Sequence, residues 1–204
     1  MNILHITDLH FNTHWFNWIE NQQDKYDVFC ISGDFLEDSK KETLREQISW
    51  IINWMKEFDK PLFVCSGNHD IEDYDNEDWL QTLSIKNVYS DNCSKTINGI
   101  KFASYPYIGA EGFHEVDDCD VLITHVPPAH SKISTDSNGK EWGDKELSRA
   151  IKNNIIGAKI VLCGHNHHPI KTTEKIKNTT VYNPGVNKEN KIPNHHIINL
   201  SNLL

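Results

Sequence analysis

Five short apolar runs in this chain each end in a side chain that can bind a cation, and that arrangement limits the fold more than any other feature. "NILHIT" runs into Asp8 and His10, "DVFCIS" into Gly33 and Asp34, "PLFVCS" into Gly67, Asn68, His69 and Asp70, "DVLIT" into His125, and "AKIVLC" into Gly164, His165 and His167. Each run is short, β-prone and apolar on successive residues, the pattern of a strand covered on both faces. The stretches "THWFNWIENQQ" and "KKETLREQISWIINWMKEF" repeat apolar residues at helical spacing, with Leu44, Ile48, Ile51, Ile52 and Met55 on roughly one face. Strand, loop and helix in alternation predict an α/β fold, and ligands of such sheets bind beyond the carboxyl ends of the strands. A single Asp or Asn there is an ordinary turn or cap residue. Five strand ends that all offer hard oxygen or nitrogen donors, with no cysteine in a donor position, predict one site for a borderline divalent ion.

The second half is richer in strands. Asn98 and Gly99 sit between two β-prone arms as a hairpin turn, a helix is expected near 144–154, and "TTVYN" and "HHIINL" read as closing strands. Segments 105–118 and 127–143 read as long polar loops, the kind that often face substrate. At 204 residues the chain suits one domain, 1–204, around one core. A net charge of -9 and a pI near 5.7 argue against a non-specific nucleic-acid binder, which needs a basic surface. No run has the length and apolarity of a membrane span, so no membrane partner is expected. Of five cysteines, Cys30, Cys65 and Cys163 lie within apolar runs as small hydrophobes, which reads as a reducing, cytoplasmic setting.

The ordered set Asp8-x-His10, Gly33-Asp34-x-x-Glu37, Gly67-Asn68-His69-Asp70, His125 and Gly164-His165-x-His167 resembles the calcineurin-like metallophosphoesterases, over residues 8–167. The resemblance implies a four-layer αββα sandwich of two mixed sheets with helices outside and the metals at the C-terminal strand ends. It implies a binuclear centre in which Asp8, His10 and His167 hold one divalent ion, Asn68, His125 and His165 the other, and Asp34 bridges them. Mn²⁺ is the first expectation, with Fe, Co, Ni or Zn as alternatives.

Elementary chemistry wants the same parts. Two ions about 3.5–4 Å apart acidify a shared water toward hydroxide and clamp phosphate oxygens during in-line attack. A bridging carboxylate offsets the repulsion between them, and the neutral Asn68 amide leaves more positive field for the phosphate than another carboxylate would. His69 is then expected to face the substrate, stabilising the transition state or protonating the leaving oxygen, with Asp70 orienting its ring. In an extended loop alternate side chains share a face, so His165 and His167 would face the metals while His168 points elsewhere as a surface residue. His5, His14, His195 and His196 read as ordinary packing or surface histidines; His114 and His130, on the long loops, are candidates for more.

Departures narrow the substrate. "GDFLEDSK" lacks the arginine that follows this motif in the Ser/Thr protein phosphatases, so a bidentate phosphate clamp is missing. Glu37, where many members carry Asp, is expected behind the ligands, and Asp38 as a helix cap. "THVPP", "WGDKEL" and "LCGHNH" resemble small members related to the metallophosphoesterase-domain-containing proteins, and "YNPG" fits a family turn near the site. The expected activity is hydrolysis of a phosphodiester in a small soluble substrate, a nucleotide first, with a phosphomonoesterase as the alternative. A metal-binding scaffold of the retromer-subunit kind and a DNA-repair nuclease are the other classes; the complete ligand set weighs against the first, and the short acidic chain against the second. Trp142 and Phe113 could stack on a base, although local packing is the commoner use of such residues.

Overall fold

A computed structural model describes residues 1–71, 79–107 and 119–201. Eleven strands form two mixed sheets among these residues. The first sheet has the order β11-β1-β2-β3-β4, from His196–Asn199, Asn2–Ile6, Val28–Ser32, Leu62–Cys65 and Val88–Tyr89. The second has the order β5-β6-β7-β8-β10-β9, from Ser94–Ile97, Ile100–Ser104, Val121–Ile123, Ile160–Leu162, Thr179–Tyr182 and Thr173–Ile176. Strands β1, β2 and β3 are mutually parallel, as are β6, β7, β8 and β10. Helices α1 (Thr13–Glu20), α2 (Leu44–Met55) and α3 (Lys145–Lys152) complete the elements.

The strands are apolar on successive residues because each sheet is covered twice. Phe29 and Ile31 of β2, with Leu62 and Val64 of β3, pack under Trp15, Phe16 and Ile19 of α1 and Ile51, Trp54 and Met55 of α2. Val28, Cys30, Phe63 and Cys65 point the other way, onto Phe102, Val121, Ile123, Ile160 and Leu162 of the second sheet. Leu122, Val161 and Val181 face outward again, against Leu147, Ala150 and Ile151 of α3. The period-2 alternation of a strand thus sorts residues between two apolar layers, not between core and water. Helices, sheet, sheet and helix make the four layers expected.

Local chemistry sets the element ends. Thr43 and Glu46 form a reciprocal capping box that starts α2, and Asn12 and Asp144 cap α1 and α3. Asp38 therefore does not cap a helix as expected; it is exposed, five residues before the cap. Asn98 and Gly99 both have positive φ, 50° and 83°, as the two-residue turn between β5 and β6 requires. Two strands were not foreseen: β9, whose "TEKI" is half-exposed on a sheet edge, and the two-residue β4. Segment 127–143 is more ordered than a plain loop, with isolated bridges pairing Thr135 with Glu141 and Asp136 with Pro169. All five cysteines are free, and only Cys93 is exposed. Among the described residues no helix is long and apolar enough to cross a membrane.

The Phe63 and Phe102 rings stack between the sheets with centroids 4.7 Å apart, and both are fully buried. Phe63→Ala is expected to lower the unfolding free energy by about 3–5 kcal/mol in a urea titration, through lost transfer energy and the cavity left behind. A loss under about 1 kcal/mol would mean that the sheets do not pack through this ring.

Candidate metal centre

Loops that leave β1, β2, β3, β7 and β8 meet at one end of the two sheets. Parallel pairing continues past the strands: Asp8 N–H donates to the Gly33 carbonyl and His10 N–H to the Asp34 carbonyl, both at 3.0 Å, and Gly164 N–H to the His125 carbonyl at 2.8 Å. The backbone turns sharply there. Asp8, His10, Asp34 and His165 all have positive φ, between 43° and 64°, a region costly for residues with a Cβ. The motif glycines have a simple steric reason: a Cβ on Gly67 would strike the Asp34 carboxylate, and one on Gly164 would strike Thr7 and Asp8.

Two groups of donors result. Asp8, His10, Asp34 and His167 each offer one ligand atom, and all four atoms lie within 4.8 Å of one another. His10 Nε2 is 3.2 Å from His167 Nε2, and His167 Nε2 is 3.2 Å from Asp8 Oδ1. Beside them, the Asn68 amide oxygen lies 3.1 Å from His125 Nε2 and 2.8 Å from His165 Nδ1. Asp34 stands between the groups, its Oδ2 3.3 Å from His125 Nε2. All seven expected ligands are therefore brought together.

These residues fit a cation on two observations. Asp8 Oδ1 and His10 Nδ1 are buried without a hydrogen bond, although buried polar atoms normally have partners. His125 Nδ1 lies 2.7 Å from the Ser32 carbonyl, which accepts only from an N–H, so in the neutral ring the Nε2 lone pair faces the oxygens of Asn68 and Asp34. Acceptor against acceptor is stable only with a proton or a metal between them. Burial opposes a charge on His125, but the Asp34 and Asp8 carboxylates and the Ser32 carbonyl overcome it and raise its pKa to about 10. Burial instead lowers His10 and His165 to about 4, ready as neutral ligands. Against its own burial, Asp34 is held ionised by His125 and by the His69 N–H at 2.9 Å.

Asp70 does a different job from the one expected. Its Oδ2 accepts from the amides of Gly67 (2.8 Å) and Asp34 (2.9 Å), and its Oδ1 from those of Phe35 (2.9 Å) and Leu36 (3.1 Å). Burial and the Asp34 charge push its pKa up, yet a proton on either oxygen would have to displace one of these donors. Asp70 thus ties the β3 loop to the β2 loop, and no described hydrogen bond joins it to the His69 ring. His69 itself lines the cavity, with Nδ1 buried and unpaired and its ring edge-on to His10 at 4.8 Å.

Several residues near the site escaped the sequence reading. Asn183, fully buried in "YNPG", donates to the carbonyls of Gly164 (2.9 Å) and Asn166 (3.0 Å) and so pins the loop carrying His165 and His167. That loop is not extended, since His165 is left-handed and the Asn166 side chain turns inward to the Ile133 carbonyl. His168 is exposed, as expected of a surface residue, but it also lines the same cavity, about 260 Å³, with Asp34, Asn68, His69, Trp142 and His165. Glu37 sits behind the ligands, with Oε2 3.6 Å from His10 Nδ1 and 3.3 Å from Lys188. His5 is packed between the sheets near His196, and His130 is exposed beside Glu141. His114 and Phe113 lie outside the described residues.

Comparison with known proteins agrees with this fold. The fold is similar to that of the Thermus thermophilus protein TT1561, at 14% identity and TM-score 0.66 over 90% of this chain and 88% of that one. It is also similar to an archaeal phosphodiesterase, at 19% identity and TM-score 0.53 over 97% and 100% of the two chains. A third, the phosphoesterase Yfce from E. coli, matches at 14% identity and TM-score 0.50 over 98% and 88%. A search of curated protein sequences returned no match. The sequence pattern of the calcineurin-like phosphoesterases, however, matches residues 1–169, most of the chain, and the protein therefore belongs to that metal-dependent hydrolase family.

Proposed function

We propose that this protein is a binuclear-metal phosphodiesterase acting on a small soluble substrate, a nucleotide first, in a reducing cytoplasmic setting. The observation that carries this reading is the pair of donor groups that share Asp34. Asp8, His10 and His167 would hold one divalent cation, Asn68, His125 and His165 the other, with Mn²⁺ the working assignment from the mixed oxygen and nitrogen donors. The cations, when bound, supply positive charge to phosphate oxygens and acidify a water molecule.

The chain's own residues do the remaining work. The Ser32 carbonyl fixes the His125 tautomer, so that Nε2 is the atom offered to the site. Asp70 sets the loop that presents Asn68 and His69. The His69 ring, whose Nδ1 has no hydrogen-bond partner among the described residues, lines the cavity and donates a proton to the leaving oxygen as the ester bond breaks. Among the described residues no arginine lines this cavity, so the grip on phosphate would come from the bound cations and the histidines.

Three outcomes test this. Initial rates on bis(4-nitrophenyl) phosphate should exceed those on 4-nitrophenyl phosphate in Mn²⁺, fall to background with chelator, and be abolished in Asp34→Ala; a preference for the monoester would make the protein a phosphomonoesterase. His69→Gln should lower kcat by about 10²–10⁴-fold on an ester with an alkoxide leaving group and by less on a 4-nitrophenyl ester, whose leaving group needs no proton; equal losses would remove His69 as the acid. Because His125 carries a proton below its pKa of about 10, cation binding at pH 8 should release at least one proton, that of His125, and tighten as pH rises. Calorimetry in buffers of different ionisation enthalpy reads that number directly, and zero release would refute the assignment of His125.

A further inference from the structure

Resting on the phosphoesterase reading, the part of the cavity wall that is not made of metal donors points to a substrate group. Asp136, Trp142 and His168 line the cavity together with Asp34, Asn68, His69, His165 and His167. Among the six tryptophans only Trp142 is outside the apolar clusters: Trp15, Trp54 and Trp79 are buried in the core under the first sheet, and Trp18 and Trp50 pack against it. Local packing, the bland use of an aromatic, therefore accounts for the other five and not for this one.

Trp142 is instead held by polar partners. Its Nε1 donates to Asp136 Oδ2 at 3.1 Å, Lys140 Nζ lies 3.3 Å from the ring centroid, and His165 meets it edge-on at 5.7 Å. Its backbone N–H donates to the Ser134 carbonyl at 2.9 Å. The other Asp136 oxygen accepts from Asn138 and Lys140 N–H, so three hydrogen bonds hold this carboxylate as a bracket for the indole. The Asp136 to Pro169 bridge joins this hairpin to the His167 loop. An indole fixed before substrate arrives loses little freedom on binding, which is what a stacking platform needs.

We propose that Trp142 is the specificity-determining residue of this site and stacks on the base of a mononucleotide whose phosphate reaches the donor cluster. Stacking on an aromatic side chain is strong and tolerant of base identity, because every base has a π-face. The small cavity and the net charge of -9 favour a free mononucleotide over a polynucleotide.

The test compares adenosine 5′-monophosphate with ribose 5-phosphate, which lacks only the base, by calorimetry in Mn²⁺, together with turnover of their methyl esters. Wild type should prefer the adenosine compound. Trp142→Ala should weaken its binding by about tenfold to a hundredfold, leave ribose 5-phosphate and the Mn²⁺ titration unchanged, and be largely restored by Trp142→Phe. Equal losses on both compounds, or weaker Mn²⁺ binding, would show that Trp142 merely supports His165 and overturn the proposal. So would a wild type without preference for the base, or tighter Trp142-dependent binding of a single-stranded oligonucleotide. Trp142-dependent binding of the nucleotide without hydrolysis of either methyl ester would sink the enzymatic reading and leave the platform standing.

Discussion

Three carboxylates, Asp8, Asp34 and Asp70, are buried almost completely at one end of the molecule, and most of the local architecture answers that cost. A buried charge is tolerated only where donors or opposite charge surround it. Asp70 is neutralised by four backbone amides, a solution that needs the β2 and β3 loops to turn inward together. Asp8 takes the Thr7 hydroxyl and the His165 amide on one oxygen and leaves the other open. Asp34 takes one amide and faces His125. The two carboxylates with open valence are those beside the histidines, which is where cations would complete the balance.

The four layers make this possible. Both sheets are covered on both faces, so the central strands β2, β3, β7 and β8 are apolar along most of their length and release polar residues at their ends. Since β1, β2 and β3 run in parallel, as do β7 and β8, those ends fall at one rim, and the two sheets packed through Phe63 and Phe102 bring their rims together. Strain in the left-handed residues is sustained by that packing and by the loop-to-loop hydrogen bonds, because a short loop alone would relax.

How far the sequence could be read follows from what each signal depends on. The buried strands, the Asn98-Gly99 hairpin and the three helices were legible, because apolar runs, turn residues and helical spacing are local properties. Strand β9 was not, because "TEKI" pairs at an exposed edge where composition carries little signal. The donor residues were legible as an ordered motif set, and the structure gathers them. The alternation argument for His168 held only in part because His165 is left-handed, a backbone state that His does not announce. Asp70 was expected to orient the His69 ring, whereas its oxygens are claimed by backbone amides, three of them from a loop more than thirty positions away in the chain.

The sequence by itself determined the α/β class, the strand ends that carry donors and the chemical type of those donors, since hydropathy and ligand hardness reside in the residues. Tertiary structure alone decided which donors are gathered together, which carboxylate is structural, that Asn183 pins the histidine loop and that Trp142 lies beside His165 in the cavity wall. Those outcomes depend on distances between segments remote in the chain, set by sheet order and by close approach at Gly67 and Gly164. No local pattern encodes such distances; they emerge when two covered sheets are packed together.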